Sequence, residues 1–361
     1  MAKHDAVDKR TRRTEILAAY PEWTDKYIGS YRANPRDCLL GNKFLKRGNI
    51  SGLTGGTSSG KSVLAQQLAC CLALGKPLFG KIPVARKCRV LLIQDENDEE
   101  VIQDNRRGMI KGLGVSRFPG VHIHRVDAVN DLEFFEVLDA LLWKHKPDVV
   151  IVDPYQDYIG DNDINSFEAA QLWTRRLKER IKRFHFAALI LFHTGKLKEG
   201  NDGSPAYKGA YLSAGTSKIS NCIRSSCELM LSGGGVNGAP KTYRLSFSKP
   251  NNCAGIVEDG KQVDSIRLVQ SGDSRNPFWR ESTEPVLKEE EGSMVGSILA
   301  FIHNHCPDGR TLSFSMDALM KNPEANKAFF NLGKSARNNK LLRMAKDGIL
   351  GKNANRKYYI L

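Results

Sequence analysis

Gly55-Gly56-Thr57-Ser58-Ser59-Gly60-Lys61-Ser62 meets every fixed position of the pattern G-x-x-x-x-G-K-[ST]. Such a loop must curl so that successive N–H groups point inward at phosphate oxygens. Glycine tolerates the positive φ angles this needs and lets the backbone come close. The pattern has meaning only between a strand and a helix. Asn49 to Thr54 reads as a short strand, and Ser62 to Leu74 reads as a helix ended by Gly75, with Pro77 beyond. The helix N-terminus adds its positive dipole end. A chance Gly/Ser-rich turn is the alternative, and the flanking elements disfavour it. The stretch predicts a site for a nucleoside triphosphate, with Gly55, Gly56, Thr57, Ser58, Ser59 and Gly60 as cradle. Lys61 would reach the β- and γ-phosphates and Ser62 would hold Mg²⁺.

The strands that follow set the sheet. Val90-Leu91-Leu92-Ile93 and Ala187 to His193 are short runs with no polar alternation, as buried parallel strands are. Val121 to Val126 is a further strand candidate. Val149-Val150-Ile151-Val152 ends in Asp153, which a parallel strand would deliver to the ligand-binding edge of the sheet. Asp153 is therefore the expected second Mg²⁺ group, with a helix cap as the plainer alternative. The acidic run Asp95 to Glu100 opens a helix through about Gly112, where dipole complementation alone would suit it. A helix from Ser166 to about Phe184 precedes the His193 strand, and later strands run from Cys227, Thr242 and Ser265.

Bulk properties narrow the class. The chain has 361 residues and a net charge of +14, a surplus that favours polyanionic partners or reflects a generally solvated basic surface. Eight cysteines without a C-x-x-C pair argue against a zinc site or a disulfide framework. The basic N-terminus lacks an apolar signal region and no long apolar run follows, so an intracellular, cytoplasmic protein without a membrane span is expected. The expected organisation is a basic tail at 1–27, the α/β ATPase domain at 28–272, a linker at 273–293 and a module at 294–361. In that module a basic helix with Arg337, Lys340 and Arg343 precedes a ribbon around Lys352 to Lys357. This suggests a winged helix-turn-helix on duplex DNA through 334–357, or else a helical docking or oligomerisation domain.

From about Leu39 to Asn252 the chain resembles the RecA-like ATPases, and most closely the RepA-type hexameric replicative helicases. The resemblance rests on Leu74-Gly75-Lys76-Pro77-Leu78-Phe79-Gly80, Leu92-Ile93-Gln94-Asp95-Glu96, Asp153-Pro154-Tyr155 with Gly160 to Asn165, and Phe192-His193-Thr194-Gly195-Lys196. Lys208-Gly209-Ala210 departs from the family's Arg-Gly. The resemblance implies a RecA-like core with a mostly parallel sheet, ATP and Mg²⁺ as ligands, and a homo-oligomer, a hexamer in this family. It implies that Glu96 polarises the attacking water and that His193 senses the γ-phosphate, where a core or surface histidine is the alternative. Lys249 resembles the basic finger that completes a neighbour's site, with Arg224 as competitor. Single-stranded DNA would run past loops 156–165 and 194–212, with backbone contact dominating over stacking on Tyr155, Tyr158, Tyr207 and Tyr211. The implied function is a DNA-dependent ATPase motor or helicase in replication or repair. A nucleotide-switched DNA-binding regulator without unwinding stays open beside it.

Overall fold

The computed structural model describes residues 11–15, 17–18, 22–127, 130–159, 166–193, 221–233, 241–250, 252–271, 275–282, 350–352 and 358–360. The chain divides into Met1–Asp37 and Cys38–Leu361. In the first unit, helix α1 (Asp25–Ser30) starts at Thr24, whose hydroxyl accepts from Tyr27 N at 3.2 Å. The compact α/β unit thus starts at Cys38, ten residues later than the expected boundary at 28.

The second unit is built on one sheet of nine strands in the order β13-β12-β9-β8-β3-β7-β6-β4-β5. Its parallel part comprises β3 (Ile50–Gly55), β4 (Val90–Gln94), β5 (Val121–Arg125), β6 (Val149–Asp153), β7 (Ala187–His193) and β8 (Ser225–Gly233). Antiparallel strands β9 (Thr242–Lys249), β12 (Ser265–Ser271) and β13 (Phe278–Glu281) extend it on one side. The fold class is therefore the expected RecA-like α/β core with a mostly parallel sheet. Short antiparallel pairs stand apart: β1 (Cys38–Leu40) with β2 (Leu45–Lys46), and β10 (Ile256–Glu258) with β11 (Lys261–Val263). A further ribbon pairs β14 (Leu350–Lys352) with β15 (Tyr358–Ile360), where the sequence led us to expect one. The basic helix expected with Arg337, Lys340 and Arg343 lies outside the described residues.

The unbroken apolar runs have a physical cause: both faces of the central strands are covered. Val90, Leu92, Val149, Ile151, Leu189 and Leu191 pack with Leu64, Leu68 and Leu72 of helix α2 (Lys61–Leu74) and with Leu39, Leu40, Phe44 and Leu45. Their alternates Leu91, Ile93, Val150, Val152, Ile190 and Phe192 pack against helices α4 (Asp131–His145) and α5 (Phe167–Phe184), through Phe134, Phe135, Trp173 and Leu177. At about 25 cal/mol per Å² of apolar area, such two-sided burial is the main support of the sheet.

The structure corrects the expected linker at 273–293. Phe278–Glu281 is a strand of the main sheet, with Gln270 opposite Trp279 and Val269 opposite Arg280. Pro277 suggested a break, but a proline just before an edge strand removes no ladder hydrogen bond. This strand is seated on helix α3 (Glu99–Leu113) at two glycines one turn apart. A Cβ on Gly112 would come 2.4 Å from the Phe278 ring, and one on Gly108 would come 2.1 Å from the Pro277 carbonyl oxygen.

That seating yields a prediction whose sign is decisive. Gly108→Ala alone should raise helix stability by roughly 1 kcal/mol. Against a backbone oxygen that cannot swing aside, overpacking of about 1–3 kcal/mol should dominate. We expect a lower melting temperature, and a higher one would contradict the packing of β13 on α3.

Candidate nucleotide site

The C-terminal ends of β3, β7, β6 and β4 lie side by side, and each delivers one element of the site. The registers align Gly55 with His193 and Gln94 with Asp153. From β3 the chain turns through Ser58 (φ 58°) and Gly60 (φ 85°) into α2. No side chain caps α2, whereas Thr24, Asp98, Asn130 and Ser166 cap α1, α3, α4 and α5. The first N–H groups of α2 therefore keep their donors for an anion. Ser59 Oγ in the same loop is buried without a partner.

Lys61 is buried, and its three ammonium donors have three acceptors. Nζ donates to Gly55 O at 3.0 Å, to Gly56 O at 2.8 Å and to His193 Nδ1 at 3.2 Å. Burial lowers its pKa, while Asp153 and then Glu96 pull it back toward the charged form. Because an ammonium only donates, His193 Nδ1 must accept, and Nε2–H is left to donate to Glu96 Oε1 at 3.1 Å. That hydrogen bond is the main cause that holds the Glu96 carboxyl below its ordinary value.

Glu96 is held by its neighbour rather than by a helix. The buried Gln94 side chain brackets the turn, donating to Asn97 O at 2.9 Å and accepting from Asn97 N at 2.8 Å. Asp98 caps α3, so Glu99 and Glu100 occupy its first turn and Glu96 lies before it. Asp153 is buried at the end of β6, where the Ser62 hydroxyl favours its charged form. Burial raises its pKa to about 6, against the pull of Ser62 and Lys61. No helix begins at Asp153: the following 3-10 turn, Tyr155–Tyr158, has Pro154 at its cap.

Ser62 and Asp153 suit a magnesium ion, which takes few protein oxygens and completes its shell with water and phosphate. Among the described residues, no group of three or more His, Cys, Asp or Glu side chains could hold a metal ion without such help.

The remaining expected residues lie elsewhere. Arg224 is exposed just before β8, and its N–H donates to Ile50 O at the start of β3. Lys249 ends β9 opposite Ser226. Both are at the end of the sheet away from Gly55, which pairs with Leu229 three residues further along β8 than Ser226. Three residues of strand are roughly 10 Å. The Lys249 side chain, and loops 160–165 and 194–212, lie outside the described residues. Tyr155 and Tyr158 are a correction: both are fully buried, on Trp173 and Phe192 and on Phe134, so neither can stack on a base. Asp157 on the same turn escaped the sequence reading. Burial, then Glu96 and Asp95, raise it to about 6, so it belongs to the acidic surroundings of His193. Its place three residues after Pro154 of the Asp-Pro strand end is the only signal.

Residues 12–199 match the family described as an AAA domain. The chain belongs to that family. Membership makes it a P-loop ATPase, and the matched stretch holds Lys61, Ser62, Glu96, Asp153 and His193 but stops before Arg224 and Lys249. No curated protein matches the chain. Among the described residues, no helix is long and apolar enough to cross a membrane.

Asp153 provides a test of site against stability. Its folded pKa is above the unfolded value, so its contribution is full below about pH 4 and is lost as pH rises through about 6. At pH 8 the ionised, buried carboxylate should cost the ligand-free fold on the order of 3 kcal/mol. Asp153→Asn should therefore melt several degrees higher at pH 8, with the gap narrowing toward pH 5. It should also lose the Mg²⁺-dependent part of nucleotide stabilisation. Equal melting at both pH values would contradict the buried charge.

Proposed function

We propose that this ATPase is a DNA-dependent motor working as a ring of identical subunits, of the kind found in RepA-type helicases. The observation that supports it most is the chain of hydrogen bonds from Lys61 through His193 to Glu96. A bound γ-phosphate would compete for the Lys61 ammonium, whose donors are all engaged. Lys61 leaving Nδ1 would alter the imidazole, and with it the Nε2–H···Glu96 bond. His193 thereby links triphosphate occupancy to the group that orients the attacking water. Glu96 accepts a proton from that water as its oxygen bonds to the γ-phosphorus and the bond to the ADP oxygen breaks. Mg²⁺, held by Ser62 and Asp153, would neutralise charge building on the phosphoryl oxygens.

His193 ends β7, and the chain runs directly into 194–212 with Lys196, Lys198 and Lys208. In this reading the same histidine passes the signal to a loop on single-stranded DNA. With Tyr155 and Tyr158 buried, contact there is by charge on the backbone. Lys249 or Arg224, at the far end of the sheet, would serve a neighbour's site, and 334–357 would hold duplex DNA in a winged helix.

Two measurements test this. Glu96→Gln should bind ATP normally yet hydrolyse it ~10²-fold more slowly, and equal turnover would remove Glu96 from the chemistry. Single-stranded DNA should stimulate hydrolysis by the wild type, and changing Lys196, Lys198 and Lys208 together should blunt that stimulation. Hydrolysis indifferent to single strands would favour an ATP-switched DNA-binding regulator.

A further inference from the structure

We infer that Trp279 is a positioning residue for the phosphate loop, acting through its indole on the peptide that joins Gly60 to Lys61. The inference rests on the nucleotide site proposed above. The indole Nε1–H donates to Gly60 O at 3.2 Å, and the same oxygen accepts from Leu64 N at 3.0 Å. A carbonyl with two donors is fixed in direction. The peptide is planar and trans, so its N–H, that of Lys61, is fixed in the opposite direction, out of the α2 N-terminus. That N–H is one of the donors the loop offers to phosphate. The ring also closes on Gly60 itself, where a Cβ would come 2.6 Å from Trp279 Cζ2. Gly60 is thus required twice, by its φ of 85° and by the indole.

The indole is in turn held from several sides. Gln67, one helix turn beyond Val63 and buried, accepts from Trp279 N at 2.8 Å and donates to Trp279 O at 2.9 Å. Its side-chain amide thus takes the place of a neighbouring strand along the free edge of β13. Tyr243 packs edge-on at 5.0 Å, and Gly108 and Gly112 admit the preceding residues against α3. Trp279 is completely buried. A loop that must present its N–H groups together loses less freedom on binding when one of its peptides is already held.

The test uses the full chain and a fluorescent ATP analogue. Trp279→Phe keeps most of the ring volume and removes the indole donor. Its dissociation constant for the Mg²⁺-bound analogue should rise about three- to tenfold, the scale of one neutral hydrogen bond. KM for ATP should rise by a similar factor with kcat little changed, because the contact serves bound substrate and transition state alike. In the wild type, nucleotide should change tryptophan emission, and Trp279→Phe should lose that change although Trp23, Trp143 and Trp173 remain. Gln67→Met, which removes both hydrogen bonds that hold the Trp279 backbone but keeps the indole donor itself, should weaken binding in the same direction. A lower melting temperature with wild-type affinity in both variants would overturn the proposal, leaving Trp279 a packing residue only. So would an emission change that survives in Trp279→Phe. If Trp279→Phe does not fold, the affinity of Gln67→Met decides alone. Failure of the wild type itself to bind the analogue would instead strike the nucleotide site.

Discussion

A buried ammonium at the end of β3 sets the terms for its surroundings. Lys61 could not stay charged in an apolar interior, because burying an unpaired cation costs several kcal/mol. Its charge is kept by the Gly55 and Gly56 carbonyls of its own loop and by groups that arrive on other strands: His193 from β7, Asp153 from β6 and Glu96 beyond β4. This requires β3, β7, β6 and β4 to be adjacent, parallel and level at their C-terminal ends, which is the observed order and register. The sheet topology and the site are thus one constraint. A slip of one residue in any of these strands would turn its terminal side chain to the opposite face.

Much of this was legible because it depends on local chemistry. The glycine spacing of the loop, the apolar runs and the acid or histidine at each strand end are properties of consecutive residues. The strand Val149–Asp153 could be read from five letters. What was not legible depends on distant residues meeting. Tyr155 and Tyr158 follow a strand end and look like loop aromatics, yet they belong to the packed core between α4, α5 and the sheet. Phe278-Trp279 stands between Pro277 and a charged run and looks like linker, until β12 supplies its hydrogen bonds and Gln67 its edge partner. One local signal did exist. Gly108 and Gly112 lie one turn apart inside a helix and lower its stability by roughly 1 kcal/mol each. Such a pair implies that something else must come close.

Rigidity within the site is unevenly distributed, and the division follows chemistry. The scaffold of the loop is over-determined: Gly60 is held by its own φ, by the start of α2 and by Trp279. Glu96 is half exposed and held by a turn that Gln94 brackets, with His193 as its direct partner. A cradle that binds ground-state phosphate benefits from being fixed before the ligand arrives. Under the proposed function, Glu96 and His193 would report on the third phosphate and act on water, and groups with that task have to change partners. On that proposal the strand ends would separate two tasks, with the fixed one on β3 and the exchangeable one on β7 and β4.

The same end of the sheet carries the fold's least favourable groups. Asp153 and Asp157 are pushed up by burial and Lys61 is pushed down, each away from its charged form. A core chosen for stability alone would put apolar residues at these positions, as β4, β6 and β7 do along the rest of their length. The two-sided packing below the site offsets this cost, since each strand buries apolar side chains on both faces before its polar terminus. In β4, β6 and β7 departure from the apolar rule is confined to the last residue, Gln94, Asp153 and His193, at the end of the sheet where the phosphate loop lies. That confinement lets Lys61 and Asp153 be costly to bury without loss of the fold that presents them.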